Sequence, residues 1–156
     1  ETDPDYELIL IGDGPDRHHL FDLSVKLGIA PAVTWYGAVD HQKLIDQHLY
    51  HLGDIFLMSS RYETQGLSTL EAMAHGVPVV AVRSTASNEV IGEGGIIVPN
   101  WNDQERAVSA LARAVTKMNE QPDKPYHRLA YQQAQKFSPP VLLETYTTIY
   151  QKVIES

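Results

Sequence analysis

The chain has 156 residues, enough to bury one sizeable core, and its 43% hydrophobic content is ordinary for a globular α/β domain. A net charge of −8, with only 12 Lys and Arg, argues against nucleic acid as a partner, because phosphate-backbone binding needs clustered positive charge, and argues equally against an anionic membrane surface. The absence of cysteine excludes disulfides and thiolate metal sites and fits a reducing cytoplasm; no apolar run of about 18 residues or signal-like segment is present to span a membrane or direct export.

Strands and helices alternate, which is the pattern of a parallel sheet with helices on both faces. Tyr6 to Ile11 (YELILI) reads as a strand, Asp16 to Leu27 as a helix, Ala32 to Tyr36 as a strand and His41 to Tyr50 as a helix. Between the first two lies IGDGP. It fails the dinucleotide fingerprint, because Arg17 occupies the third glycine position, so it reads as a strand-to-helix turn with Pro15 opening the helix. Asp54 to Met58 (DIFLM) is a short buried strand, left through the polar Ser59, Ser60 and Arg61. Val77 to Val82 forms the next strand, Ser87 to Ile91 a short turn or helix, and Ile96 to Val98 a final strand entered through the Gly94-Gly95 turn. Asn102 to Asn119 has helical spacing; Pro122 and Pro125 break it, and two more helices follow, with Tyr126, Tyr131, Tyr146 and Tyr150 expected to pack.

The stretch Glu63 to Ala81, ETQGLSTLEAMAHGVPVVA, carries the chemistry. Glu63 sits at the carboxyl end of a strand, Gly66 follows, and Leu67, Leu70, Met73 and Ala74 recur at helical spacing until Gly76 stops the helix. A glycine at a helix entrance lets backbone N–H groups approach a ligand, and the unsatisfied donors and dipole of that end favour phosphate. Glu71, about one turn into the helix, is placed to accept from vicinal hydroxyls such as a ribose diol, and Glu63 from hydroxyls of a second sugar ring. The competing reading has Ser68 or Thr69 capping the helix, Glu71 on a solvated face and Glu63 as an ordinary loop charge. The histidines have plain structural readings: His18 and His19 are solvated helix positions, His41, His48 and His51 lack a ligand pattern for metal, and His75 serves as a donor near a helix C-terminus.

Taken whole, SSRYETQGLSTLEAMAHGVPVVA resembles the signature of retaining glycosyltransferases of the GT-B fold, the group 1 family with two glutamates eight positions apart. IGDGP, VTWYGAV (Val33 to Val39), DIFLMSS, SNEVI (Ser87 to Ile91) and GGIIVP (Gly94 to Pro99) follow in the expected order, so the resemblance covers nearly the whole chain. It implies a Rossmann-like parallel sheet with helices on both faces, the C-terminal donor-binding half of a GT-B fold. It also implies that Glu63 is the catalytic-site glutamate contacting donor-sugar hydroxyls, that Gly66 and Leu67 give amides to the sugar and distal phosphate, and that Glu71 holds the ribose. Thr64, Gln65 and Ser68 share this substrate-binding segment, and Gly37, Ala38 and Val39 lie beside the base. Glu89 in SNEVI either braces its loop or borders the donor pocket. The family commonly has an aromatic-glycine pair after the first glutamate, where Thr64 and Gln65 stand here; ETQGLS is similar to bacterial diacylglycerol glucosyltransferases.

The resemblance further implies a strand, loop and helix before Tyr6, with an Arg and a Lys for the diphosphate, and an N-terminal acceptor domain. Residues 1–156 are therefore expected to form one partial domain lacking the first strand and helix. In the doubly wound order the missing strand is central, between the strands at Tyr6 and Asp54, so a truncated sheet is expected, closed by its neighbours or filled by a partner chain. The expected activity is retaining transfer of a sugar from a nucleotide diphosphate donor, UDP-sugar favoured, to a lipid or polysaccharide hydroxyl, without a cofactor or metal. The parent enzyme is expected in the cytoplasm, at the inner face of the membrane. The segment alone is expected to bind nucleotide weakly and to catalyse nothing. The alternatives are a GT-B nucleotide-sugar epimerase and a non-catalytic nucleotide-binding scaffold domain.

Overall fold

Five short apolar runs become strands, and every pairing among the described residues is parallel. The computed structural model describes residues 6–155. The strands fall into two separate sheets, in two units, Glu1–Leu52 and Gly53–Ser156. Among the described residues no strand pairing joins the two sheets.

In the first unit, β1 (Leu8–Ile11) pairs with β2 (Val33–Gly37), with Leu8 opposite Val33 and a register irregularity between Leu10 and Ile11. Helix α1 (Arg17–Lys26) connects them. It starts later than expected, because Gly14 to Arg17 is spent on a turn: Gly14 O accepts from Arg17 N at 3.1 Å and the Asp13 carboxylate accepts from Gly14 N at 2.8 Å. Pro15 thus lies in the turn and does not open the helix. Helix α2 (His41–Asp46) is capped by Asp40, whose carboxylate accepts from Gln42 N and Lys43 N. It is shorter than the expected 41–50 because His48 adopts a φ of +53°, which a helix cannot contain, and residues 49–52 form a separate 3-10 turn.

In the second unit, β3 (Phe56–Met58), β4 (Val79–Val82) and β5 (Gly95–Val98) lie side by side with β4 in the middle. Helices α3 (Leu67–Ala74) and α4 (Ser87–Ile91) join them, and α5 (Gln104–Asn119), α6 (Tyr126–Gln135) and α7 (Pro139–Ile154) follow. All four residues of β4 are buried. Because alternate strand side chains face opposite ways, Val79 and Ala81 join Met73, Val90, Ile91 and Ala130 on one face, while Val80 and Val82 join Val98, Ala110, Ala114 and Met118 on the other. Helices thus cover both faces of this sheet, as the unbroken apolar run VPVVAV requires.

The strand β5 can lie this close to β4 only because Gly95 has no side chain. A Cβ there would strike the Val79 carbonyl oxygen and would approach the Ile91 side chain to 2.8 Å. Of the tyrosines expected to pack, Tyr126 is buried, but Tyr131, Tyr146 and Tyr150 are exposed. Tyr131 lies on the outer face of α6, whereas Tyr146 and Tyr150 belong to α7, which has no buried residue among those described, so its apolar periodicity marks a face left exposed in this unit.

Gly95→Ala should cost about 2–3 kcal/mol by forcing β4 and β5 apart. Chemical or thermal unfolding followed by circular dichroism checks this, and a variant as stable as the parent would contradict the packing described.

Candidate functional site

The carboxyl ends of β3 and β4 open into two loops, residues 59–66 and 83–86, that flank the start of α3. This is the end of a parallel sheet where ligands are ordinarily held. Glu63 is half-buried in the first loop, and one of its carboxylate oxygens, Oε1, accepts from the backbone N–H groups of Thr64 (3.1 Å), Gln65 (3.3 Å) and Gly66 (3.0 Å). Those bonds to the charged form hold its pKa below the ordinary carboxylate value, the bond from Gly66 counting most and then that from Gln65, while burial pulls the other way by more than the Thr64 bond adds. The second oxygen, Oε2, makes no hydrogen bond among the described residues, so the carboxylate is anchored through one oxygen and open through the other.

Gly66 is the N-cap of α3, at φ +68° and ψ +39°, with no side-chain cap bond. Neither Ser68 nor Thr69 caps the helix, as the plain reading would have it. The space around Gly66 is ordinary, with the nearest atoms 3.7–3.8 Å from a would-be Cβ. Backbone angle, rather than room, is what favours glycine there. The left-handed cap turns the chain so that Thr64, Gln65 and Gly66 point their N–H groups to a single point, which Glu63 Oε1 fills.

A small pocket lies beside this turn, lined among others by Met58, Glu63, Gly66, Thr69, Ser84 and Ser87. Its far wall is shaped by Ser87, whose hydroxyl accepts from Ser84 N (2.9 Å) and donates to Ser84 O (3.1 Å). Thr69 and Ser87 are buried polar residues facing this space; the sequence offered Thr69 only as a helix cap and Ser87 only as the start of a turn or helix. Leu67 is exposed and Ser68 half-buried on the first turn of α3; Glu71 lies half-buried one turn further on. His75 donates from Nδ1 to the Glu71 carbonyl at 2.8 Å, which makes it a helix-end donor. Glu89 is exposed and outside the pocket lining; its carbonyl accepts from Gln133 Nε2 at 2.7 Å, so its visible part is to brace α4 against α6.

Gly37, Ala38 and Val39 belong to the first unit, at the carboxyl end of β2. Gly37 has φ +73°, and its carbonyl accepts from Gly12 N at 2.8 Å, which joins the end of β2 to the IGDGP turn. The glycine turns at Gly12 and Gly37 therefore sit at the carboxyl edge of their sheet.

A family model described as glycosyl transferases group 1 matches residues 1–118. The chain belongs to that family. It is 31% identical over 121 residues to the alpha-D-kanosaminyltransferase of Streptomyces kanamyceticus, covering 76% of this chain and 30% of that protein. Its fold is similar to sucrose-phosphate synthase from Thermosynechococcus elongatus (TM-score 0.76, 26% identity, 98% of this chain and 40% of that one). It is also similar to the pneumococcal O-GlcNAc transferase GtfA in complex with UDP and GlcNAc (TM-score 0.81, 19% identity, 98% and 30%). This group 1 chain thus spans about a third of the proteins it matches, and its fold is that of a GT-B half.

For a family member built this way, the Glu63 anchor should titrate. The folded pKa is lowered, so the anchor contributes fully above the unfolded value and is lost as pH falls through the folded one. Carboxyl-carbon NMR of Glu63 should give a midpoint below 4.5, with the amides of Thr64, Gln65 and Gly66 moving in step. In Glu63→Gln those amides should no longer respond in that pH window. A midpoint at or above the ordinary value would contradict the three-bond anchor.

Proposed function

We propose that this chain is the donor-binding half of a retaining glycosyltransferase that moves a sugar from a nucleotide diphosphate to an acceptor hydroxyl. The observation that carries the reading is the Glu63 carboxylate anchored through one oxygen at the mouth of α3, with Glu71 one turn inside the same helix. The pneumococcal transferase of similar fold is described with UDP and GlcNAc, which supports a uridine donor. A lipid or polysaccharide acceptor belongs to the part of the relatives that this chain does not span.

The roles follow from charge and geometry. The amides of Leu67 and Ser68 on the first turn of α3, which Glu63 does not engage, act with the helix dipole to stabilise negative charge on the distal phosphate as the anomeric C–O bond breaks. The acceptor hydroxyl forms the new bond to the anomeric carbon and gives up its proton to the departing phosphate oxygen. Glu63 holds sugar hydroxyls through its open oxygen. It is unsuited to general-acid work, because a carboxylate with a lowered pKa is ionised near neutrality, and its three amide bonds make it a weak nucleophile. Glu71 accepts from the ribose hydroxyls, and Gln65 and Ser68 border the sugar and phosphate.

Titration with UDP, GDP, ADP and UDP-glucose, followed by amide NMR, tests this directly. Shifts should be confined to the Glu63 loop and the first turns of α3. Glu71→Ala should weaken every nucleotide roughly tenfold, whereas Glu63→Ala should abolish the preference for UDP-glucose over UDP. No site-localised shift with any of them would favour a scaffold domain instead. Residues 1–156 alone should show no transfer of glucose to water or alcohols above background in a radiolabelled UDP-glucose assay; measurable turnover would overturn the assignment of half of the active site to the other domain.

A further inference from the structure

The Glu63 loop is tied at its other end by an arginine that the donor roles leave unused. Arg61 Nε donates to Asn100 Oδ1 at 3.1 Å, and its Nη2 donates to the Trp101 carbonyl at 2.6 Å and to Asn102 Oδ1 at 2.9 Å. Asn100 returns the contact, donating from Nδ2 to the Arg61 carbonyl at 3.3 Å. The guanidinium fork thus spans both side chains and the backbone of the segment that leaves β5.

That segment is itself held. The Trp101 side chain packs against the core cluster of Val80, Val98 and Ala110, and the next residue but one, Asp103, caps α5 by accepting from Arg106 N at 3.1 Å. Arg61 therefore connects a loop whose position matters to one that is fixed by the core. Its partners are all neutral oxygens, and no ion pair of Arg61 occurs among the described residues, so the contact depends on the planar spread of donors more than on charge attraction.

We propose that Arg61 is a positioning residue. It fixes the carboxyl-end loop of β3 against the loop after β5 and thereby sets the place of the Glu63 carboxylate two residues on. It touches neither the phosphate nor the sugar, and it acts through the loop. The inference rests on the donor-binding reading for its consequence, but the geometry of the tie stands apart from it.

The test compares the wild-type chain with Arg61→Met, Arg61→Lys and the double variant Asn100→Ala/Asn102→Ala, which weakens the same tie from the other side by removing two of its three acceptors and leaving the Trp101 carbonyl. Two readouts are needed: hydrogen exchange at the amides of residues 64–66, and affinity for UDP and UDP-glucose by titration calorimetry. In Arg61→Met and in the asparagine variant, exchange should rise about tenfold; affinity for UDP-glucose should fall about tenfold and that for UDP less than about threefold. Combining them should add little beyond Arg61→Met, because both act on the same tie. Lysine should not rescue, since an ammonium cannot span the fork. Rescue by lysine, or unchanged sugar preference in the asparagine variant, would overturn the inference in favour of a direct charge contact. Absence of any UDP-glucose binding by the wild type would instead remove the donor reading, and exchange at residues 64–66 would still decide whether Arg61 holds the loop.

Discussion

Burial of β4 on both faces is the constraint on which the second unit depends. Val79, Val80, Ala81 and Val82 have no face left for water, so helices must be laid on each side, and β3 and β5 must satisfy the backbone on each edge. Gly95 permits the close approach of β5, and Met73 from α3 fills the space beneath Val79 and Ala81. Since α3 is packed by that contact, its N-terminus is held at the carboxyl edge of the sheet. The loops there inherit their positions from a dry strand several residues away.

At that edge the chain solves a local problem of charge. The turn leading into α3 presents three successive N–H groups, and Glu63 supplies the anion for them from its own loop, accepting all three through a single oxygen. The consequence is an ionised, fixed carboxylate whose second oxygen is turned to other partners. This arrangement suits holding a hydroxyl-bearing ligand better than giving or taking protons. Arg61 ties the same loop to Trp101 and its neighbouring asparagines, so the carboxylate is fixed from both ends of its loop.

Much of this was legible in the residues, though unevenly. Alternating apolar runs and helical spacings placed every strand and helix in order, and Gly66 and Gly76 marked the ends of α3 to within a residue or two. The misreadings have local causes. A turn held by Asp13 and Gly14 consumed the expected start of α1, and a left-handed His48 cut α2 short. The tyrosines of α7 have helical spacing yet are exposed, and spacing cannot say whether a face is covered. Of the site, Glu63 and Gly66 lie within hydrogen-bond reach of each other, while the Arg61 tie left no trace in the sequence, because residues some forty positions apart leave no joint mark on it.

The sequence by itself determined the alternation of elements, the double burial of β4, and the paired glutamates around a glycine at a helix mouth, because periodicity and local turn chemistry are written within a few residues. Only the tertiary structure decided that the strands divide into two sheets and that one oxygen of Glu63 is bound while the other is open. It alone also decided that the loop rests on the segment after β5. Those outcomes depend on distances between parts of the chain that sequence order does not measure.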